Sequence, residues 1–129
     1  TRRCSKSTIR GLASAGAVGA LLRYSLVGVV QRLNNSDFPL GTLVVNVVGC
    51  FLAGFLWIFF EHRWTIAPET RTVVMVGFLG AFTTFSSYIL ETNEFLRAAE
   101  WMWAGANVLL QIVLGSAAFP VVRALGRAL

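Results

Sequence analysis

The chain has 129 residues and a net charge of +5, yet only 13% of its residues are charged and 56% are hydrophobic. Soluble domains carry roughly 25% charged residues, so this composition argues against a soluble enzyme and favours a membrane protein. The length suits one domain over residues 1–129. The basic residues lie scattered between apolar stretches, which argues against nucleic-acid binding and favours a role in membrane topology. Metal-ligand spacings and nucleophile motifs are missing from the sequence, so no enzyme chemistry is predicted.

Four apolar stretches are each long enough to cross a bilayer, for which a helix needs about 20 residues. They cover about residues 9–30, 40–60, 72–90 and 101–122. The connectors between them are short, and the first is rich in turn-forming Asn, Ser, Asp and Pro. The tryptophans fall near the ends of the stretches, where an interfacial aromatic belt would place them: Trp57, Trp64, Trp101 and Trp103. The sequence therefore predicts an all-α membrane protein with four transmembrane helices.

The third stretch is interrupted at residues 77–91, which read GFLGAFTTFSSYILE. Unpaired backbone in lipid costs several kcal/mol per group, so irregular backbone is tolerated only where protein buries it or where it lines a polar site. Glycines and hydroxyl side chains in this run predict a helix broken near its centre. Gly80 and Thr83 are candidates for freed carbonyls, which coordinate a cation well when they point inward.

An aromatic stripe accompanies this interruption, because Phe82, Phe85 and Tyr88 follow one another at intervals of three residues. Such a stripe at helical spacing is often part of a packed core. Aromatic ring edges are also electropositive, so the same rings could meet an anion edge-on. The residues alone leave both interpretations open.

Polar side chains also lie inside the other three stretches. Arg23 is either a functional charge that concentrates anions or a side chain that snorkels to the nearby interface. Asn46 either bonds a neighbouring helix or donates an N–H to a dehydrated anion. In the fourth stretch Asn107 and Gln111 share one face with Gly115, and Ser116 is adjacent. These positions fit a polar track and interhelical hydrogen bonds equally well.

Four motifs stand out along the chain: GAVGALLRY at 16–24, GTLVVNVVG at 41–49, GFLGAFTTFSSY at 77–88, and the step Gly115–Ser116. Together they resemble the Fluc (CrcB) family of fluoride channels over almost the whole chain. The resemblance implies a passive channel that exports fluoride and lowers its cytoplasmic concentration. It also implies an antiparallel, dual-topology dimer that crosses the prokaryotic plasma membrane several times.

The resemblance also implies roles for individual residues. A structural sodium ion at the dimer interface would be held by the main-chain carbonyls of Gly80 and Thr83. Arg23 would supply positive charge at the pore vestibule, and Glu91 matches a carboxylate that follows the family's aromatic box. Tyr88 stands where the family usually has its second phenylalanine. The predicted fluoride pathway comprises Asn46, Phe82, Thr84, Phe85, Tyr88 and Ser116.

The distribution of charge bears on the partner of this chain. With both termini in the cytoplasm, eight basic residues lie on that side and two on the other, a clear positive-inside bias. A homodimer of two oppositely oriented copies is expected, with a heterodimer of two related chains as the alternative. The cytoplasmic set is Arg2, Arg3, Lys6, Arg10, Arg63, Arg71, Arg123 and Arg127, and the opposite set is Arg32 and Arg97.

An alternative function is a small multidrug-resistance type proton-coupled exporter, which also has four short spans and an antiparallel dimer. Such an exporter needs an ionisable carboxylate inside its first span. Residues 9–30 contain Arg23 and no acid, which argues against this alternative. A non-transporting membrane subunit would explain the glycines in the spans but not the hydroxyl-rich interruption of the third.

Overall fold

A computed structural model describes residues 5–62 and 65–128, and every regular element in this part of the chain is helical. Four stretches are long and apolar enough to cross a membrane, which confirms the predicted four-span architecture. Arg2, Arg3, Cys4, Arg63 and Trp64 lie outside the described residues. The elements are α1 (Lys6–Leu33), α2 (Leu40–Glu61), α3 (Pro68–Thr72), a π-helix (Val73–Leu79), α4 (Gly80–Phe82), α5 (Phe85–Arg97) and α6 (Trp101–Ala128).

The third span is longer than predicted, running from Pro68 to Arg97 with an interruption after α4. Pro68 occupies the first turn of α3, where its missing N–H costs nothing and its fixed φ suits a helix. Most of the connector expected from residue 91 to 100 is helical, because α5 continues to Arg97. Its acids suggested a loop, but the segment is amphipathic: Thr92 is buried while Glu94 is exposed. The turn that follows contains Ala99 at a φ of 57°.

The first and third spans pack side by side in the same direction. A Cβ added at Gly11 would lie 2.8 Å from the Val73 side chain, and one at Gly19 would overlap the carbonyl of Phe78. The contact positions therefore move to higher residue numbers on both spans at once, as expected for two parallel helices. Small residues let the two backbones approach closely, as is usual between membrane helices.

The second and fourth spans form a second parallel pair. Matching positions recur along both helices: Cys50 lies opposite Gly115, Gly54 opposite Phe119, and Ile58 opposite Gly126. The chain therefore crosses up, down, up and down, which places the start of α1 and the end of α6 on one side of the bundle. This side is called the terminal side, and the opposite one, with the connectors at 34–39 and 98–100, is called the loop side.

Candidate functional site

The interruption in the third span consists of two threonines in extended conformation. Thr83 has φ −90° and ψ 158°, and Thr84 has φ −148° and ψ 116°, so α4 ends at Phe82 and α5 begins at Phe85. The predicted broken helix is confirmed. The glycines do not make the break, contrary to the sequence interpretation, because Gly80 is helical at φ −61° and Gly77 is packed against α1. Threonine serves here because its side chain can replace lost backbone bonds.

Two carbonyls lose their regular helical partners at this break. In a continuous helix, the N–H of Thr84 would bond the Gly80 carbonyl and that of Ser87 would bond the Thr83 carbonyl. Instead Thr84 N–H donates to Asn46 Oδ1 at 2.8 Å, and Ser87 N–H donates to Thr84 Oγ1 at 3.2 Å. The regular donors of both carbonyls that the sequence predicts to be freed are therefore bonded elsewhere.

Asn46 holds the broken span against α2 and α6. Its side-chain oxygen accepts from Thr84 N–H, and its Nδ2 donates to the Thr84 carbonyl at 2.9 Å and to Gln111 Oε1 at 3.0 Å. This geometry matches the interhelical alternative for Asn46. Both Nδ2 hydrogens already have acceptors, so contact with an anion would require Asn46 to exchange one of these bonds.

A cavity of about 470 Å³ lies beside the break and is called the central groove. None of the described residues that line it is charged. Phe85 is 74% exposed and Tyr88 is buried, and their rings meet edge to face with centroids 5.6 Å apart. The polar and aromatic lining comprises Asn46, Thr83, Thr84, Phe85, Tyr88 and Gln111, with Gly80 at the edge of the break.

Gln111 contributes a hydrogen-bond donor that the sequence interpretation did not assign to the pathway. Its Oε1 accepts from Asn46, while its buried Nε2 has no hydrogen-bond partner within the described parts of the chain. A buried unpaired donor is costly and therefore marks a place where a ligand or water can bind. The sequence shows a polar residue at position 111. Its position opposite Asn46 on the facing helix depends on how the helices pair, which sequence spacing alone does not reveal.

Two predicted pathway residues lie elsewhere in the described structure. Phe82 is buried and stacks on Phe78 with centroids 5.9 Å apart, beside an apolar cavity that Leu22 and Leu26 also line. The extended threonines shift the register of the span, so the interval of three residues does not keep Phe82 beside the next aromatic. Ser116 is exposed and is not among the residues lining the central groove.

A second cavity, of about 710 Å³, opens towards the loop side and is called the vestibule. Arg23 and Arg32 line it together with Glu91, whose Oε1 accepts from Thr42 Oγ1 at 2.6 Å. The other Glu91 oxygen is buried without a partner among the described residues. Thr84 lines both cavities, so the break lies between the charged vestibule and the uncharged groove.

Comparison with known proteins agrees with this architecture. Residues 11–122 match the family model described as CrcB-like protein, Camphor Resistance (CrcB). A protein named Fluoride-specific ion channel FluC from Desulforapulum autotrophicum is 57% identical over 116 residues, covering 90% of this chain and 93% of the relative. One of the same name from Nitrosococcus oceani is 49% identical over 104 residues, covering 81% and 83%.

A third relative with that name, from Nitratidesulfovibrio vulgaris (strain Miyazaki F), is 44% identical over 107 residues, covering 80% of this chain and 86% of its own length. The family match, over residues 11–122, reaches all four spans and includes the broken one. The relatives' names describe ion channels, a function that involves no enzymatic reaction. The chain therefore belongs to the CrcB family and is a multi-pass membrane protein.

Proposed function

We propose that the protein is a fluoride-selective channel through which fluoride leaves the cell passively, down its electrochemical gradient. The names of its relatives support this function, since the alignment to the Desulforapulum protein covers 90% of the chain. The structural observation that carries the proposal is the central groove. It combines amide, hydroxyl and aromatic groups at a break in a membrane span, without a charged residue in its lining.

Selection of fluoride in such a groove follows from hydration. Fluoride holds its water more tightly than chloride does, so a selective path must replace that water with short contacts to N–H, O–H or ring-edge groups. Gln111 Nε2 offers a buried N–H donor, and Phe85 and Tyr88 offer ring edges. A chloride ion is larger and gains less from contacts placed for the smaller ion.

The vestibule supplies the electrostatic part of the mechanism. Arg23 and Arg32 are two positive charges against the single carboxylate of Glu91. A concave, positively charged entrance raises the local concentration of anions of every kind. Thr84 then provides the hydroxyl-bearing boundary through which an anion would pass to the groove, because it lines both cavities.

Efflux from liposomes that contain only this chain tests the function directly. We expect rapid fluoride efflux and little chloride efflux under the same potential. Similar rates for the two halides would contradict the proposal. A proton-coupled exporter of cationic drugs would instead show no fluoride conductance and a requirement for a pH gradient.

We further propose that the Gly80 and Thr83 carbonyls bind a structural sodium ion. The support is that their regular helical donors, the N–H groups of Thr84 and Ser87, are bonded elsewhere. A Cβ added at Gly80 would meet nothing within 4 Å, so the backbone at this position is open to an approaching ion or chain. Two carbonyls from each of two chains would form a cage of four oxygens.

Sodium binding predicts a cation-dependent stability. Binding to the folded dimer alone raises the free energy of unfolding by RT ln(1 + [Na⁺]/Kd), which is about 2.7 kcal/mol at a hundredfold excess over Kd. Thermal unfolding in sodium chloride should therefore occur at a higher temperature than in N-methyl-D-glucamine chloride of equal ionic strength. Coinciding unfolding curves would argue against the site without affecting the test of fluoride efflux.

The functional unit proposed here is an antiparallel dimer, with a homodimer expected and a heterodimer as the alternative. A single chain leaves Phe85 74% exposed and the central groove open beside Gly80. An inverted second copy packed against this face would cover both the Phe85 ring and the open side of the central groove. The pair would then contain two equivalent pathways. The basic residues of the terminal side weigh against two orientations of one sequence.

Cysteine labelling in cells decides between these partners. Ser7→Cys places a thiol at an exposed position near the start of α1, in a background carrying Cys4→Ser and Cys50→Ser. A membrane-impermeant reagent applied before and after lysis reports which side the thiol occupies. Labelling from both sides supports the homodimer, whereas labelling only after lysis indicates one orientation and a second chain.

A further inference from the structure

A third polar cavity lies at the other end of the second and fourth spans, far from the vestibule. Its volume is about 490 Å³, within the range of roughly 300–1,000 Å³ that is usual for small-ligand sites. Because α2 and α6 run parallel, their carboxyl-terminal turns meet here on the terminal side. This cavity, called the terminal-side groove, is lined chiefly by Trp57, Glu61, His62, Phe119, Arg123 and Arg127.

The terminal-side groove is suited to an anion. Arg123 and Arg127 are four residues apart on α6 and therefore share one face of the helix. Within the described residues, neither guanidinium has a hydrogen-bond or ion-pair partner. Among the described residues that line the groove, Glu61 is the only acid, and His62 adds a further donor. Each guanidinium can bind a phosphate through two parallel N–H···O bonds, and two of them on one face can bind the same phosphate group.

The position of the groove indicates that the anion belongs to a lipid. Trp57 lines it and is 57% exposed, as expected for a tryptophan at the membrane interface. Ile58 and Phe119, which are half-buried, line the same groove and supply apolar surface beside the arginines. A ligand with a phosphate and acyl chains would satisfy both surfaces, whereas a soluble phosphate would use only the arginines.

We propose that the terminal-side groove binds the phosphate headgroup of an anionic phospholipid, with Arg123 and Arg127 as its principal ligands. In an antiparallel homodimer the terminal side of one copy lies at the cytoplasmic leaflet, where anionic lipids attract basic residues near the surface. Basic pockets between membrane helices on that side are a recurrent kind of headgroup site. This assignment does not depend on which ion the protein conducts.

Native mass spectrometry of the intact protein in detergent tests the proposal, with phosphatidylglycerol, phosphatidylcholine or inorganic phosphate added separately. We expect more bound phosphatidylglycerol than phosphatidylcholine. The double variant Arg123→Gln/Arg127→Gln should weaken phosphatidylglycerol binding by roughly thirtyfold, and Arg123→Lys/Arg127→Lys should retain most of it. The matched control is Lys6→Gln/Arg10→Gln, which removes two charges from the terminal side of α1 and should leave binding unchanged.

Four results would overturn the proposal. Equal binding of the two lipids would remove the requirement for an anionic headgroup, and equal loss in the α1 control would reduce the effect to net charge. Displacement of phosphatidylglycerol by equimolar inorganic phosphate would identify a soluble anion as the ligand. Size-exclusion chromatography accompanies each variant, and dissociation of the dimer with lipid selectivity retained would assign the groove to the partner chain instead.

Discussion

The two cavities that meet at Thr84 are built from opposite chemistry. The vestibule carries Arg23, Arg32 and Glu91, whereas the central groove is lined by amides, hydroxyls and aromatic rings without a charge. The difference separates two tasks that an anion pathway must perform. Charge acts at a distance and attracts all anions alike. Short contacts act only on an ion that has lost its water, and these contacts can distinguish one halide from another.

Asn46→Asp should produce the largest effect, because it gives the uncharged groove a negative charge. Like charges about 4 Å apart repel by about 4 kcal/mol at an effective dielectric constant of 20, which is on the order of a thousandfold in ion occupancy. Aspartate would also lose the two N–H donations to Thr84 and Gln111. Fluoride efflux from liposomes measures the outcome.

Asn35→Asp is the matched control, since it makes the same chemical change in the exposed loop-side connector. It should leave fluoride efflux near the unmodified rate. Persistent efflux through a folded, dimeric Asn46→Asp protein would remove Asn46 from the pathway and leave it only the role of joining the broken span to α2.

Gly49→Ala should distort the break that gives the groove its shape. A Cβ at Gly49 would overlap the Thr83 side chain, so the threonine must move away from α2. Overpacking of this kind typically costs about 1–3 kcal/mol. We expect a lower unfolding temperature, slower fluoride efflux and weaker stabilisation by sodium, because the Thr83 carbonyl moves with its residue.

Gly105→Ala serves as the control for this substitution. A Cβ at Gly105 meets nothing within 4 Å, and the residue is exposed on α6. This variant should match the unmodified protein in efflux. If both alanine variants show the same fluoride efflux, the close approach of α2 to the break does not affect ion conduction.

Arg23→Gln should have a smaller effect that depends on salt. Removal of one vestibule charge lowers the local anion concentration, so efflux should fall severalfold at low ionic strength. The deficit should shrink near 1 M salt, where the screening length is only about 3 Å. Arg97→Gln removes an exposed loop-side charge that does not line the vestibule and should change efflux little at either salt concentration.

Asn107→Leu should leave ion efflux unchanged and affect only stability. Asn107 is fully buried and donates to Thr92 Oγ1 at 2.9 Å, which ties α6 to α5 outside both cavities. Hydrogen bonds between membrane helices contribute about 0.6 kcal/mol on average and at most about 1.7. A modest fall in unfolding temperature with normal efflux is expected, whereas a large loss of efflux would extend the pathway to this face of α6.

The four spans were predictable because lipid imposes a simple rule of length and apolarity on each crossing helix. The interruption in the third span was predictable for the same reason, since a run of hydroxyl side chains is unusual in a helix that crosses lipid. The end of that span was not predictable from composition. Glu91 and Glu94 suggested a loop, and only tertiary packing buries Thr92 on the other face of α5.

Within the candidate site, sequence located the break but not its neighbours. Helical spacing predicted that Phe82 shares one face with the later aromatic residues. Two extended threonines end the helix after Phe82, so this face is not continuous. Gln111 was recognised as polar, yet its contact with Asn46 crosses from one helix to another over 65 positions. Contacts of that kind depend on how helices pair, which hydrophobic periodicity does not specify.

The division of tasks between the groove and the vestibule is tested most directly by the permeability ratio of fluoride to chloride. It should be measured in planar bilayers for the unmodified protein, Arg23→Gln and Gln111→Met. Gln111→Met removes the unpaired N–H donor at similar volume, and a hydrogen bond to an ion contributes about 1.5–3 kcal/mol, so the ratio should fall by at least roughly tenfold. Arg23→Gln should lower both permeabilities and leave the ratio unchanged. A ratio that falls with Arg23→Gln but survives Gln111→Met would show that the vestibule selects the ion, and would contradict this account.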